Sequence, residues 1–181
     1  NRWLWRMSPR RLDAESLRDA MLVATGELNE SLRGKGYIDF NSYFFKGTQF
    51  YDPIDATGYD TQRRTIYRMW ARGGRNPFLD TFDCPDPSTT TPTRSATTTP
   101  LQALSLLNNA FSRRMAETLA AAALTSCGNN RSAQIDYCYE RLFARLPSDD
   151  ERTFVSTFVA ERGLPAACRG LMNSSEFLYV D

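Results

Sequence analysis

The chain contains no histidine among its 181 residues, and that single absence removes several chemistries at once. Ser-His-Asp and Cys-His nucleophile arrangements, His-bearing zinc sites and CxxCH haem attachment are all excluded from this chain. Proton transfer near neutral pH would fall to a shifted carboxylate, a Tyr or a Cys. Lysine is almost missing too: Lys35 and Lys46 stand alone, so arginine carries nearly all the positive charge. Arginine forks pair bidentately with carboxylates, so the bias fits specific ion pairs or anion contacts, and it fits GC-rich codon usage equally. The formal net charge of +1 gives no field that would draw nucleic acid or an anionic membrane. No apolar run approaches the roughly 20 residues that span a bilayer, so no membrane span is expected. No signal peptide precedes Asn1, and a start without Met on Arg2-Trp3-Leu4-Trp5-Arg6 is expected of a piece of a longer chain.

What is present reads as one ordinary globular domain over 1–181, with 41% hydrophobic residues to build a core. Four cysteines, Cys84, Cys127, Cys138 and Cys168, lack CxxC spacing, which argues against a zinc ribbon or a thioredoxin-like site. Cys127 and Cys138 flank a Gly-Asn-Asn turn and would bridge two successive helices in an oxidising compartment. The competing expectation is four buried thiols.

The fold class expected is mainly α, a small helical bundle interrupted by an irregular, partly β middle. A first helix spans 8–26, with Ser8 as N-cap, Pro9 in the first turn and Gly26 as the stop. Residues 34–98 hold no helical period. They carry the aromatics Tyr37, Phe40, Tyr43, Phe44, Phe45, Phe50 and Tyr51, punctuated by glycines, and then Arg63 to Trp70, which reads as a strand although Ile66, Met69 and Trp70 would also share a helix face. The stretch from Asp83 to Thr98 contains three prolines and many threonines, which exclude continuous helix or central strand. Loops of such length in a compact domain are usually functional or disordered.

A helical bundle then fills 99–178. Thr99-Pro100-Leu101-Gln102 is a capping box, and Leu101, Leu104, Leu107, Phe111, Met115 and Leu119 predict one long helix to about Cys127. A helix over 132–145 is expected to bury Ile135, Tyr139, Leu142 and Phe143 and to end at Pro147. Ser148 to Glu151 caps the next, with Phe154, Val155, Phe158 and Val159 inward. A last helix carries Ala167, Leu171 and Met172. Phe177, Leu178 and Tyr179 are expected to dock the C-terminal segment back on the bundle.

Four separated segments carry a resemblance. They are Pro9 to Glu15 with Leu17-Arg18-Asp19-Ala20, then Arg63 to Arg68. The third joins Phe82 to Ser88 with Thr98 to Leu104 and Leu107-Asn108-Asn109, and the fourth is Asn173 to Asp181. Together they resemble the C-terminal domain of unknown function of planctomycete proteins that carry an upstream cytochrome-c-like module. The resemblance implies an exported parent, periplasmic or in the cell envelope, often encoded beside sulfatases and other polysaccharide-degrading functions. It implies haem only in the upstream module, no cofactor in this chain, and no established reaction. Here Thr93 precedes Arg94 where the family often has a second basic residue, which weakens an anion-binding role for the loop.

The candidate site is the set Arg11, Arg63, Arg64, Asp83, Asp86 and Arg94. Asp83 and Asp86, three apart, fit turn caps better than a Ca²⁺ loop or an acid/base pair, because further oxygen ligands are lacking. With Arg10, Asp13, Glu15 and Asp19, the arginines fit a buried ion-pair network, in competition with an anion site for glycan sulfate or carboxylate. Gln102 and Asn108 are expected to fix the preceding loop. The aromatics of 37–51 with Trp3, Trp5 and Trp70 fit core or interface better than sugar stacking. The expected function is thus a non-catalytic structural or interaction module whose partners are other domains of its parent chain. The alternatives are a glycan-binding or glycan-processing domain whose partner is a polysaccharide, and a docking surface for the haem module.

Overall fold

The computed structural model describes Trp3 and residues 5–180; Asn1, Arg2, Leu4 and Asp181 lie outside the described residues. The mainly α expectation holds, with eight helices among the described residues and only two-stranded sheets. Strand β1 (Arg10–Arg11) leads into α1 (Ala14–Thr25), so the first helix begins later than Ser8 and Pro9 predict. The reason is a competing use of the backbone: Arg10 and Arg11 pair antiparallel with Val180 and Tyr179 of β4 (Tyr179–Val180). Asp13 takes over as N-cap, accepting from the Ser16 amide at 2.8 Å. Gly26, at φ 77°, stops the helix in the left-handed conformation that glycine adopts without strain.

The middle segment forms a hairpin of β2 (Phe40–Phe45) and β3 (Thr48–Pro53). Lys46 and Gly47 both have positive φ, the two-residue turn that matches strand twist. The predicted strand over Arg63 to Trp70 is instead a 3-10 turn at Thr65–Tyr67, flanked by isolated bridges of Asn29 to Arg63 and Tyr37 to Arg68. Side chains decide this. Asp19 of α1 accepts from the Thr65 amide and hydroxyl at 2.8 and 2.7 Å, and those bonds hold a turn rather than a ladder.

Helix α2 (Pro77–Thr81) precedes the Pro/Thr loop, and α3 (Pro100–Asn108) follows it. The predicted long helix is two, because Asn109 leaves helical geometry and caps α4 (Ala110–Cys127) through its side chain. Leu101 and Leu104 accordingly face outward, with Leu101 64% exposed, while Gln102 and Leu106 form the buried face. Helices α5 (Arg131–Phe143), α6 (Asp149–Arg162), α7 (Leu164–Met172) and α8 (Ser175–Leu178) complete the bundle. Helix α5 stops before Pro147, at Ala144 in the left-handed region. The main core joins Leu17, Met21 and Leu22 to Leu79, Leu106, Met115 and Leu119. A second cluster packs Ile135 and Tyr139 on Val155, Val159 and Ala167, leaving Phe154 outside at 72% exposure. Phe177 and Leu178 are buried as predicted, whereas Tyr179 is exposed.

Two capping boxes predicted from sequence are present, at Thr99/Gln102 and Ser148/Glu151. The second is reinforced by Arg145, whose guanidinium meets Glu151 at 2.7 and 2.8 Å and Glu176 at 2.6 and 2.7 Å. Arg145, followed by the Ser148 amide, lowers the Glu151 carboxyl from 4.5 to about 2. A depressed folded-state value stabilises the fold above the ordinary value and ceases to do so as the carboxyl protonates. The melting temperature of wild type should therefore exceed that of Glu151→Gln above pH 5, and the gap should close between about pH 4.5 and 2. A gap that persists unchanged to pH 2 would refute this.

Candidate functional site

Helix α2 delivers the chain to Asp83, which sits at φ 62°, a conformation Asp tolerates better than most residues. Its carboxylate accepts from the Thr97 amide at 2.7 Å and from the Thr97 hydroxyl at 2.8 Å, so the two ends of the loop are tied together. Gln102, 2% exposed, completes this knot: its amide nitrogen donates to Thr97 Oγ1 at 3.2 Å and its oxygen accepts from the Thr99 amide at 3.1 Å. Within the loop, Asp86 accepts from the Ser88 amide at 2.8 Å and the Ser88 hydroxyl at 2.6 Å. Those bonds hold its carboxyl below the usual range, with Arg75 at 3.2 Å adding to the effect. Asp86 thus caps a local turn, whereas Asp83 closes the loop across fourteen residues instead of capping a turn. Asn108 is exposed, and the capping work falls to Asn109.

The loop is pinned to α1 from two sides. Arg94 lays both terminal nitrogens on Glu15 at 2.8 Å and reaches Asp13 at 3.3 Å. Burial pushes the Asp13 carboxyl up, but the Ser16 bonds and Arg94 outweigh it and leave it below the usual range. Arg11 donates to the Thr97 carbonyl and, at 2.8 Å, to Thr98 Oγ1. Arg94 is half exposed, so its ion pairs fix position more than they add stability. Cys84 lies beneath, its thiol pushed up to about 12 by burial, which leaves it protonated and a poor nucleophile.

The predicted arginine set does not form one network. Arg63 turns away from the loop and donates to the carbonyls of Ser31, Arg33 and Lys35, with its guanidinium 3.9 Å from the Tyr67 ring centre. Arg64 is exposed and reaches Asp19 only at 3.9 Å. Two further buried cations, Arg18 and Arg68, lie outside the predicted set. Arg18 donates to the carbonyls of Arg63 and Thr61 at 2.9 Å, and Arg68 pairs with Asp39 at 2.8 Å. Their signal was available: Arg18 sits one turn from Leu22 on the core-facing side of α1, where a charged side chain needs partners.

Two clefts flank Arg94. One, of 490 Å³, is lined by Arg11, Asp83, Thr97 and Gln102. The other, of 570 Å³, is lined by Glu15, Asp19, Arg64, Ile66, Trp70 and Pro85. Asp83 lines the first and Trp70 the second, so neither cleft joins that carboxylate to that aromatic. Among the described residues no three of Cys, Asp and Glu are grouped to hold a metal ion. No helix of the described residues is long and apolar enough to cross a membrane.

The predicted bridge between Cys127 and Cys138 is not made. Cys127 donates to the Ala133 carbonyl at 3.5 Å, while Cys138 turns into the core and lies 3.6 Å from the sulfur of Cys168. All four cysteines are free thiols.

The other three resembling segments each meet the β1–α1 segment: Thr65 bonds Asp19, Arg94 of the loop pairs with Glu15 while Thr98 accepts from Arg11, and β4 pairs with β1. A family model described as PSD1, a protein of unknown function (DUF1553), matches residues 1–159. The chain belongs to the PSD1 family. No curated protein and no solved structure matches it. The end of the PSD1 match falls inside α6, and Cys168 and Met172 of α7 share the core with α4, so the match boundary is not a boundary of packing.

Proposed function

We propose that this PSD1 chain is a non-catalytic packing and interaction module of a longer exported protein of planctomycete type, whose haem belongs to an upstream cytochrome-c-like module. The observation that carries the reading is how the polar groups around the loop are spent. Asp83, Asp86, Gln102 and Arg94 are all engaged in bonds that shape the loop, which leaves no paired carboxylates free for acid/base work.

The surface that supports the interaction half of the proposal is the β2–β3 hairpin. Phe44 is 70% exposed, and Tyr43, Phe45 and Phe50 are exposed beside it. A two-stranded hairpin is marginal in water without a covered face, and aromatic patches of this kind mark interfaces. Its partner in this reading is another part of the parent chain. Hydrogen exchange tests it: amides of 40–53 should exchange at least about tenfold more slowly in the full-length parent than in this chain alone, and Phe44→Glu should erase the difference. Equal exchange in both would reject the reading.

A glycan-binding reading is kept for the 570 Å³ cleft, where Trp70 and Ile66 face Arg64. A glycan array decides it: no binding to any sulfated or uronic polysaccharide removes it.

A further inference from the structure

A third cavity, of 190 Å³, lies away from the Pro/Thr loop, where the end of the hairpin meets α1, α2 and α4. Its walls include Arg18, Tyr37, Asp39, Asn76, Phe78 and Phe111. Two of these residues are more than nine-tenths buried and hold an oxygen that nothing in the protein satisfies. Tyr37 is 6% exposed with its hydroxyl unpartnered; Asp39 is 7% exposed with Oδ1 unpartnered. Buried polar atoms are satisfied in the great majority of native structures, and each exception needs an explanation. The other carboxylate oxygen, Oδ2, is fully used by Arg68 Nε at 2.8 Å and by the Asn76 amide at 2.7 Å. Asp39 is therefore held in place by one oxygen and has the other to offer.

We infer that this cavity is a binding site for a small neutral polyhydroxylated molecule, between glycerol and a single monosaccharide ring in size. Charge selects the class. The Asp39 carboxylate is balanced by Arg68, and Arg18 and the Arg114–Asp55 pair form other parts of the wall. A cation entering would meet guanidinium groups, and an anion would meet two carboxylates. A neutral hydroxyl donates to Asp39 Oδ1 without adding charge. A second hydroxyl exchanges a bond with Tyr37, whose phenol is pushed up to about 12, chiefly by burial, and so stays neutral and able to donate. The rings of Phe78 and Phe111, 5.3 Å apart, supply an apolar wall for the C–H faces of such a molecule. Size sets the upper limit, because clefts for drug-sized ligands run to roughly 300–1,000 Å³. The site goes beyond the packing role proposed above; it includes Pro53 at the end of the hairpin but none of the exposed aromatics Tyr43, Phe44, Phe45 and Phe50.

The test is a nuclear magnetic resonance titration of the full chain with glycerol, D-glucose, propylammonium and acetate, following the amides of Tyr37, Asp39 and Asn76. Glycerol or glucose should give saturable shifts at those amides, and the two ions should not. Tyr37→Phe keeps the ring and loses a hydroxyl that has no protein partner, so it should melt as wild type does. It should also weaken polyol binding about tenfold, the loss of one hydrogen bond. The inference fails if neither polyol saturates, if the ions bind instead, or if Tyr37→Phe binds as tightly as wild type.

Discussion

Arg68→Ala should cost about 3–5 kcal/mol of folding stability. The side chain is wholly buried, and it is the hub between three parts of the middle segment. Its Nε meets Asp39 at 2.8 Å, its Nη2 donates to the Gly74 carbonyl at 2.9 Å, and its guanidinium lies 4.5 Å from the Trp70 ring centre. Removing it leaves Asp39 charged, buried and held by the Asn76 amide alone. The penalty is the stranded charge more than the lost attraction, so replacing both partners should be milder than either alone. Arg68→Met with Asp39→Leu should recover much of the loss. Arg68→Lys should not, since a point-like ammonium cannot serve Asp39 and Gly74 in the directions the guanidinium fork does. Urea unfolding reads all of these as shifts in midpoint at constant slope. A loss under about 1 kcal/mol for Arg68→Ala would mean that water replaces the arginine, contrary to its burial.

Oxidation of the chain should join Cys138 to Cys168 and raise stability by about 3–4 kcal/mol on the chain-entropy account of loop closure. The two sulfurs are 3.6 Å apart, thirty residues apart in sequence, at the junction of α5 and α7. Thiol–disulfide exchange with oxidised glutathione would release two molecules of reduced glutathione for each bond formed. Reaction should be slow in the folded protein and fast from the unfolded one. Cys138 and then burial hold the Cys168 thiol well above its ordinary value, so little thiolate is present. Peptide mapping without reduction should find the 138–168 link and no 127–138 link, and Cys168→Ser should abolish the stabilisation. A 127–138 link as the major product would contradict the packing of α5.

Much of this fold is written in local patterns. The capping boxes at Thr99 and Ser148, the glycine stop at Gly26 and the apolar spacing of Met115, Leu119 and Ile135 each act over a few residues, so the sequence alone places those helices and the mainly α class. The loop was legible in part: Gln102 lies three residues from the Thr99 cap it completes and Asp86 caps a turn two residues on, whereas the Asp83 tie to Thr97 spans fourteen residues. The order of four motifs carried the resemblance, and the match over residues 1–159 shows the membership.

Tertiary structure decided what depends on partners distant in sequence. Arg10 and Arg11 are strand, not helix, because the C-terminal strand comes back to pair with them. The Arg63 to Trp70 stretch is a turn because Asp19 captures Thr65 from 46 residues away. Leu101 and Leu104 lost the core to Gln102 because Asp83 and Thr97 satisfied its amide, and burial follows satisfied bonds as much as apolarity. The arginines divided between the loop and the core according to which carbonyls and carboxylates the fold brought within reach. An arginine's partner is a property of three-dimensional distance, which spacing along the chain does not encode.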